Sequence, residues 1–145
     1  MLVSNILGTK GTRLVTAAPG QTVRTVARLL RLNRIGAVPV IDDDGHLVGM
    51  LSERDITYRL ATDGEDVLSA RVADLMTVSV VTCGPADDLK YVMAEMTDKR
   101  FRHLPVLEDG AIVGIVSIGD VVKARLDEAE LEVSVLRDYA RATVA

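Results

Sequence analysis

Two short strings in this chain combine residue types that chemistry can use: Ser52-Glu53-Arg54-Asp55 and Ser117-Ile118-Gly119-Asp120. In each, a Ser is followed three residues later by an Asp, where an apolar run gives way to a helical pattern. At a helix start this spacing gathers a hydroxyl, a carboxylate and backbone N–H groups that lack intrahelical partners at one mouth. It is also the spacing of a capping box, in which the Ser and the acidic residue tie down the first turn. The two roles are compatible, but a purely structural repeat has no need of both copies.

Covalent chemistry finds less support. Ser52, Ser117, Cys83 and His103 offer a nucleophile or a base without a convincing third member to complete a relay. Cys83 is alone and His46 and His103 are far apart in sequence, which leaves neither a disulfide framework nor metal-ligand spacing. A Walker-type phosphate loop is also absent. These features predict a binding protein rather than an enzyme, with no catalytic cofactor and no metal.

The strings belong to a longer repeat. Ala37-Val38-Pro39-Val40 through Gly49-Met50-Leu51-Ser52-Glu53-Arg54-Asp55 returns as His103-Leu104-Pro105-Val106 through Gly114-Ile115-Val116-Ser117-Ile118-Gly119-Asp120. Upstream, Val15-Thr16 and Pro19 match Val81-Thr82 and Pro85. The offset is 66 from Thr16 to Thr82 and from Pro39 to Pro105, and 65 from Gly49 to Gly114, because the second turn is one residue shorter. A repeat of this length predicts one folding unit used twice, so that anything bound between the copies meets two related surfaces.

Each copy reads strand, helix, strand, strand, helix. Leu14-Val15-Thr16 is predicted as a short strand, and Thr22 as the cap of a helix whose Val23, Val26, Ala27 and Leu30 share a face. Residues 37–41 and 47–51 form a hairpin about Asp42-Asp43-Asp44-Gly45. In the second copy Asp87 or Asp88 caps a helix that turns Leu89, Val92, Met93 and Met96 to the core. Residues 104–107 and 112–116 then pair across Glu108-Asp109-Gly110. Residues 62–69 read as a polar surface linker and residues 72–76 as an added helical turn. In the tail, Val122, Leu126, Ala129, Val133, Leu136 and Ala140 fall at alternating steps of three and four, an a/d stripe on one long helix. That stripe packs either on its own domain or on a second copy; an a/d seam suits a partner helix, and a homodimer is the preferred expectation.

The chain of 145 residues suits one compact domain or two subdomains sharing a core. With 48% hydrophobic but only 3% aromatic residues and no Trp, that core is built from aliphatic side chains and Met. The scarcity of aromatics, the net charge of −4 and the scattered Lys and Arg argue against a nucleic-acid or anionic-membrane surface. Arg13, Arg24, Arg28, Arg31 and Arg34 make the first half locally basic, which reads as a solvated face. No apolar run reaches the roughly 18 residues of a membrane span, and the first residues lack the layout of a secretory signal. The cytoplasm is the expected location.

Arg102-His103-Leu104-Pro105-Val106, together with the two Ser-x-x-Asp strings and the Gly-Ile-Val that precedes the second, carries a family resemblance. Over about residues 1 to 125 the chain resembles a pair of cystathionine-beta-synthase (CBS) repeats, a Bateman module of the small stand-alone bacterial kind. The resemblance implies an α/β fold of two βαββα repeats packed sheet to sheet with pseudo-twofold symmetry, plus a C-terminal helix. Residues 1–66 would form the first repeat with its N-terminal helical segment, 67–125 the second repeat and 126–145 the terminal helix. It further implies clefts that accept adenine nucleotides such as AMP, ADP, ATP or NAD, and a regulatory role toward a protein partner the sequence does not name.

Carried onto this chain, the resemblance puts Asp55 and Asp120 on the ribose hydroxyls, with Ser52, Ser117 and Ile118 beside them at the helix starts. Arg102 and His103, and less strongly Arg54, become the phosphate contacts. Ala37, Val38 and Pro39 in one copy, and Leu104 and Pro105 in the other, line adenine slots rimmed by Thr16 and Thr82. The first copy has Gly36-Ala37 where the second has Arg102-His103, so one strong phosphate site and one weaker or vacant one are expected. The alternative is a constitutive interaction module whose clefts are vestigial.

Overall fold

A computed structural model describes residues 1–10 and 13–144. In chain order these form α1 (Val3–Lys10), α2 (Val23–Asn33), β1 (Ala37–Ile41), β2 (Leu47–Ser52) and α3 (Glu53–Asp63). A 3-10 segment (Gly64–Ser69), α4 (Val72–Leu75), α5 (Leu89–Lys99), β3 (His103–Glu108), β4 (Ala111–Ser117) and α6 (Ile118–Val144) follow. Ala145, the predicted end of the tail helix, lies outside the described residues.

The helices begin where short polar side chains can replace missing backbone partners. Thr22 accepts from the Thr25 N–H and opens α2, which buries Val23, Val26 and Leu30. Asp88, of the two predicted candidates, caps α5 by accepting from the Lys90 N–H, while Asp87 accepts from Gly84. α5 turns Leu89, Val92 and Met96 inward.

Both hairpins share one register. Pro39 pairs with Met50 and Val40 with Gly49, as Pro105 pairs with Ile115 and Val106 with Gly114, and each hairpin has an irregularity just after its Val. The second turn is the tight one: Asp109 and Gly110 both take positive φ, 52° and 80°, the geometry that joins twisted strands across two residues. The first, longer turn is held by Asp42 Oδ1, which accepts from the backbone N–H groups of Asp44 and His46.

The predicted leading strand at Leu14–Thr16 is replaced by a single parallel bridge one residue later. Ala17 exchanges bonds with Pro39 and Ile41 across β1, and Cys83 does the same with Pro105 and Leu107 across β3. Pro19 and Pro85 follow within two residues and end the extended run. The segment 62–69 also departs from a polar linker: α3 runs to Asp63 and the 3-10 turn follows, because Val67 buries itself completely.

Two cores result, and the packing crosses the sequence boundary between the repeats. One core holds Val38, Val40 and Leu51 of the first hairpin with Val26, Leu30 and Val72, the last from α4. The other holds Leu104, Val106 and Val116 with Leu89, Val92, Met96 and Val121, and also takes Val3 and Ile6 from α1. Glycine is needed where these borrowed segments cross the hairpins. A Cβ at Gly49 would lie 2.7 Å from Met76 Sδ and 3.0 Å from the Thr77 carbonyl, and one at Gly114 would lie 2.6 Å from Leu7 Cδ2.

α6 is one unbroken helix of 27 residues that starts as the last element of the second repeat and continues as the tail. Its buried residue is Val121. The apolar stripe does not pack on its own domain: Leu126, Val133 and Leu136 are 59%, 47% and 67% exposed.

Candidate functional site

The Ser-x-x-Asp strings fold as reciprocal caps. Asp55 Oδ2 accepts from Ser52 N at 2.9 Å and from Ser52 Oγ at 3.0 Å, while Ser52 Oγ accepts from Asp55 N at 3.2 Å. Asp120 Oδ2 accepts from Ser117 N at 2.9 Å, and Ser117 Oγ accepts from Asp120 N at 3.1 Å. The next N–H groups are also engaged, Glu53 N with the Gly36 carbonyl at 2.9 Å and Ile118 N with the Arg102 carbonyl at 2.8 Å. The backbone donors expected to lie open at these helix starts are therefore largely used within the fold, which leaves an anion to the side-chain cations. The hydrogen bonds that Asp55 accepts all fall on one carboxylate oxygen, and a carboxylate offers about four lone-pair sites in all.

Each capped helix start faces the other repeat across a cleft. Ser52, Arg54 and Asp55, with Glu53, Gly36, Ala37 and Met50 from the first repeat, face Thr77, Val80 and Val81 and the run Arg100-Phe101-Arg102-His103. Ser117 and Asp120, with Val113, Gly114 and Ile115, face Leu7, Arg13, Leu14 and Val15 and the run Arg34-Ile35-Gly36-Ala37, with His103 alongside. The repeat offset carries most of the first lining onto the second: Asp55 to Asp120, Met50 to Ile115, Arg34 to Arg100. The pseudo-twofold relation is thus written in the clefts themselves.

The two clefts differ in room and in the arginines they gather, while Glu53 and Asp55 in one and Asp120 in the other leave them equal in net charge. The Asp55 cleft encloses about 180 Å³ and collects Arg54, Arg100 and Arg102. The Asp120 cleft encloses about 410 Å³ and has Arg13 and Arg34. Arg34 and Arg100 end their helices at φ 53° and 58°, a left-handed conformation that costs a non-glycine residue of order 1 kcal/mol. Both line clefts, although short, flexible Gly would end the helices more cheaply.

His103 is half-buried and borders both clefts. A Cβ at Gly36 would lie 3.0 Å from its Cε1, 3.1 Å from its Nε2 and 3.4 Å from Glu53 Oε1. The absence at position 36 of a counterpart to Arg102 thus has a steric side: the imidazole of the second copy lies where a side chain at 36 would start.

Of the residues singled out from sequence, Ala37, Ser52, Arg54, Asp55, Arg102 and His103 meet in one cleft. Ser117 and Asp120 border the other, again with Ala37 and His103. Val38, Pro39, Leu104 and Pro105 are buried within the hairpins and line neither. Thr16 and Thr82 are exposed, and their neighbours Val15 and Val81 take the lining positions instead. Ile118, the first residue of α6, is half-buried against the second core. Sequence reading missed Arg100, Phe101, Thr77 and Val80 in the first cleft and Leu7 and Ile35 in the second. Arg34 and Arg100 alone carried a signal, since both end an amphipathic run at corresponding repeat positions.

Elsewhere, burial and then the nearby Asp87 carboxylate push the Cys83 thiol up to about 11, so it is inert core rather than a nucleophile. Among the described residues Asp42, Asp44 and His46 come within reach of one another in the first hairpin turn, but Asp42 is engaged there as the turn's acceptor. No helix among the described residues is long and apolar enough to cross a membrane.

A doubled hairpin-and-helix unit with a pseudo-symmetric pair of clefts defines a tandem-repeat class, and comparison with known proteins gives it a family. The chain belongs to the CBS-domain family, whose model matches residues 4–62 and again 72–127. It is 33% identical over 119 residues to the CBS domain-containing protein YhcV of Bacillus subtilis, covering 82% of this chain and 84% of that one. Its fold is similar to the crystal structure of the CBS-domain containing protein ATU1752 from Agrobacterium tumefaciens, with a TM-score of 0.83, 42% identity and coverage of 86% of this chain and 99% of that one. It is also similar to the CBS domain pair of protein MJ0100 solved in complex with 5-methylthioadenosine and S-adenosyl-L-methionine, with a TM-score of 0.77, 27% identity and coverage of 90% and 98%.

Proposed function

We propose that this chain is a non-catalytic regulatory module that binds an adenosine-containing ligand, of the AMP, ADP, ATP or NAD kind, between its two repeats. The observation that carries the reading is the Asp55 cleft, where a carboxylate at a helix start faces Arg102 and His103 of the other repeat, with Arg54 and Arg100 beside them. A carboxylate accepts from the paired ribose hydroxyls, and guanidinium forks meet phosphate. The MJ0100 pair, bound to two adenosine compounds, supports the shared part of that ligand. The Asp55 cleft is the principal site because it gathers three guanidinium groups against two, with Arg102 of the Arg-His pair among them; the roomier Asp120 cleft takes a ligand more weakly.

Because each cleft is lined from both repeats, a ligand there favours one relative placement of the repeats over others, and differential affinity for two placements is what couples binding to a partner. The module works in the cytoplasm as a homodimer that acts on a separate regulated protein. Calorimetric titration of AMP and of adenosine into wild type and Arg102→Ala tests the cleft. The variant should weaken AMP about tenfold or more and adenosine little; equal losses would contradict a phosphate contact.

A second reading, a constitutive interaction module with vestigial clefts, draws on the caps. Both Asp side chains already have structural work, so their presence does not by itself demand a ligand.

A further inference from the structure

Beyond Glu128, whose carboxylate meets the Met1 ammonium at 3.3 Å, α6 leaves its own domain, and the apolar stripe along it is uncovered. We infer that two copies of this chain pair through α6 in parallel and in register, as a short two-stranded coiled coil. The stripe sets the heptad frame: Leu126, Val133 and Ala140 fall at a, and Val122, Ala129 and Leu136 at d. A β-branched residue at a with Leu at d, as Val133 and Leu136 provide, favours two strands. A shallow groove on the helix takes in the first part of this seam, Leu126, Ala129 and Val133 with Glu130 beside them, and then passes to the polar flank at Arg137 and Asp138.

The flanking charges choose the orientation. In the same frame Arg125 and Glu132 occupy g, and Glu130 and Arg137 occupy e. A parallel pair brings each g residue to the e residue five positions on in the other helix, which sets Arg125 against Glu130 and Glu132 against Arg137, twice over by symmetry. The antiparallel register that aligns the same stripe, with Leu126 opposite Leu136, sets Lys123 against Arg137 and puts Glu130 and Glu132 each against its own copy. Arg125 also bonds Glu128 in its own helix at 2.9 Å and keeps further donors in its fork. The inference starts from the homodimer proposed above and adds its arrangement.

Single Ala129→Cys and Ala140→Cys variants test it directly. The two positions lie 11 residues apart, about 16 Å along the helix, and the native Cys83 is buried. In the parallel pair each new Cys faces its own copy, so mild oxidation should link both variants into covalent dimers. In the antiparallel register Ala129 faces Val133 and neither variant links. Sedimentation of the unmodified chain at about 50 µM, with Leu126→Glu and Leu136→Glu as seam variants and Leu131→Glu as an off-seam control, reads the dimer itself. Seam variants should be monomeric with helicity retained, and the control dimeric. Glu130→Arg should weaken dimerisation about tenfold, and Arg125→Glu added to it should restore the affinity. A dimer that does not link at both positions overturns the parallel arrangement while leaving the dimer standing. A monomeric wild-type chain removes both, and nucleotide titration is unaffected by either outcome.

Discussion

At the residue scale, Asp55 and Asp120 each hold a helix start and are proposed to hold a ribose, and the two roles separate by substitution. Asp55→Ala loses the acceptor for Ser52 N and should cost about 1 kcal/mol of stability by urea denaturation. Asp55→Asn keeps an amide oxygen for that bond, so its midpoint should stay near wild type while adenine-nucleotide affinity falls. An Asn variant that binds as tightly as wild type would remove the ribose role. Cys83 gives a second test at this scale. Its folded pKa of about 11 lies above the ordinary 9.0, so the stability it contributes is complete below pH 9 and is lost as pH rises through 11. The gap in denaturation midpoint between wild type and Cys83→Ala should therefore narrow from pH 8 to pH 11, and the native thiol should resist Ellman's reagent at pH 8. The caps were legible in the sequence because their partners lie three residues apart. The meeting of Arg102 and His103 with Asp55 was not, since no local pattern says which repeat's arginine crosses to which repeat's carboxylate.

At the element scale, periodicity and turn chemistry located the helices and hairpins well, because each is settled by neighbours a few residues away. Thr22, Asp88 and the Asp109-Gly110 turn all do what their types suggest. The leading strands were over-read. Val15 and Val81 have strand-like character, yet a single bridge at Ala17 or Cys83 suffices to dock each segment. The adenine-slot residues Val38, Pro39, Leu104 and Pro105 line neither cleft, because both faces of β1 and β3 are covered there; an unbroken apolar run does not say which of its residues borders a cleft. The glycines at the crossings yield a prediction. Gly49→Ala meets both a side chain and the Thr77 carbonyl and should cost about 1–3 kcal/mol. Gly114→Ala meets only the tip of Leu7, which can turn aside, so its thermal midpoint should fall less. Equal losses would mean that the two crossings are equally rigid.

At the scale of the whole molecule, the repeat itself was plain in the sequence, and with it the α/β architecture of two hairpin units. What the sequence could not display is the exchange between them, in which α1 joins the second core and α4 the first. That exchange places the clefts between the repeats, where a ligand touches both. The account therefore stands on whether adenine ligands bind there, and the most direct measurement is a thermal-shift series with AMP, ADP, ATP, NAD, S-adenosylmethionine and GMP on wild type, Asp55→Asn and Asp120→Asn. A ligand at about 100 times its dissociation constant stabilises by about 2.7 kcal/mol, several degrees for a domain of this size. At least one adenine ligand should give such a shift and GMP should not, with the shift lost in Asp55→Asn and largely kept in Asp120→Asn. No shift with any adenine ligand, or a shift indifferent to both substitutions, would contradict it.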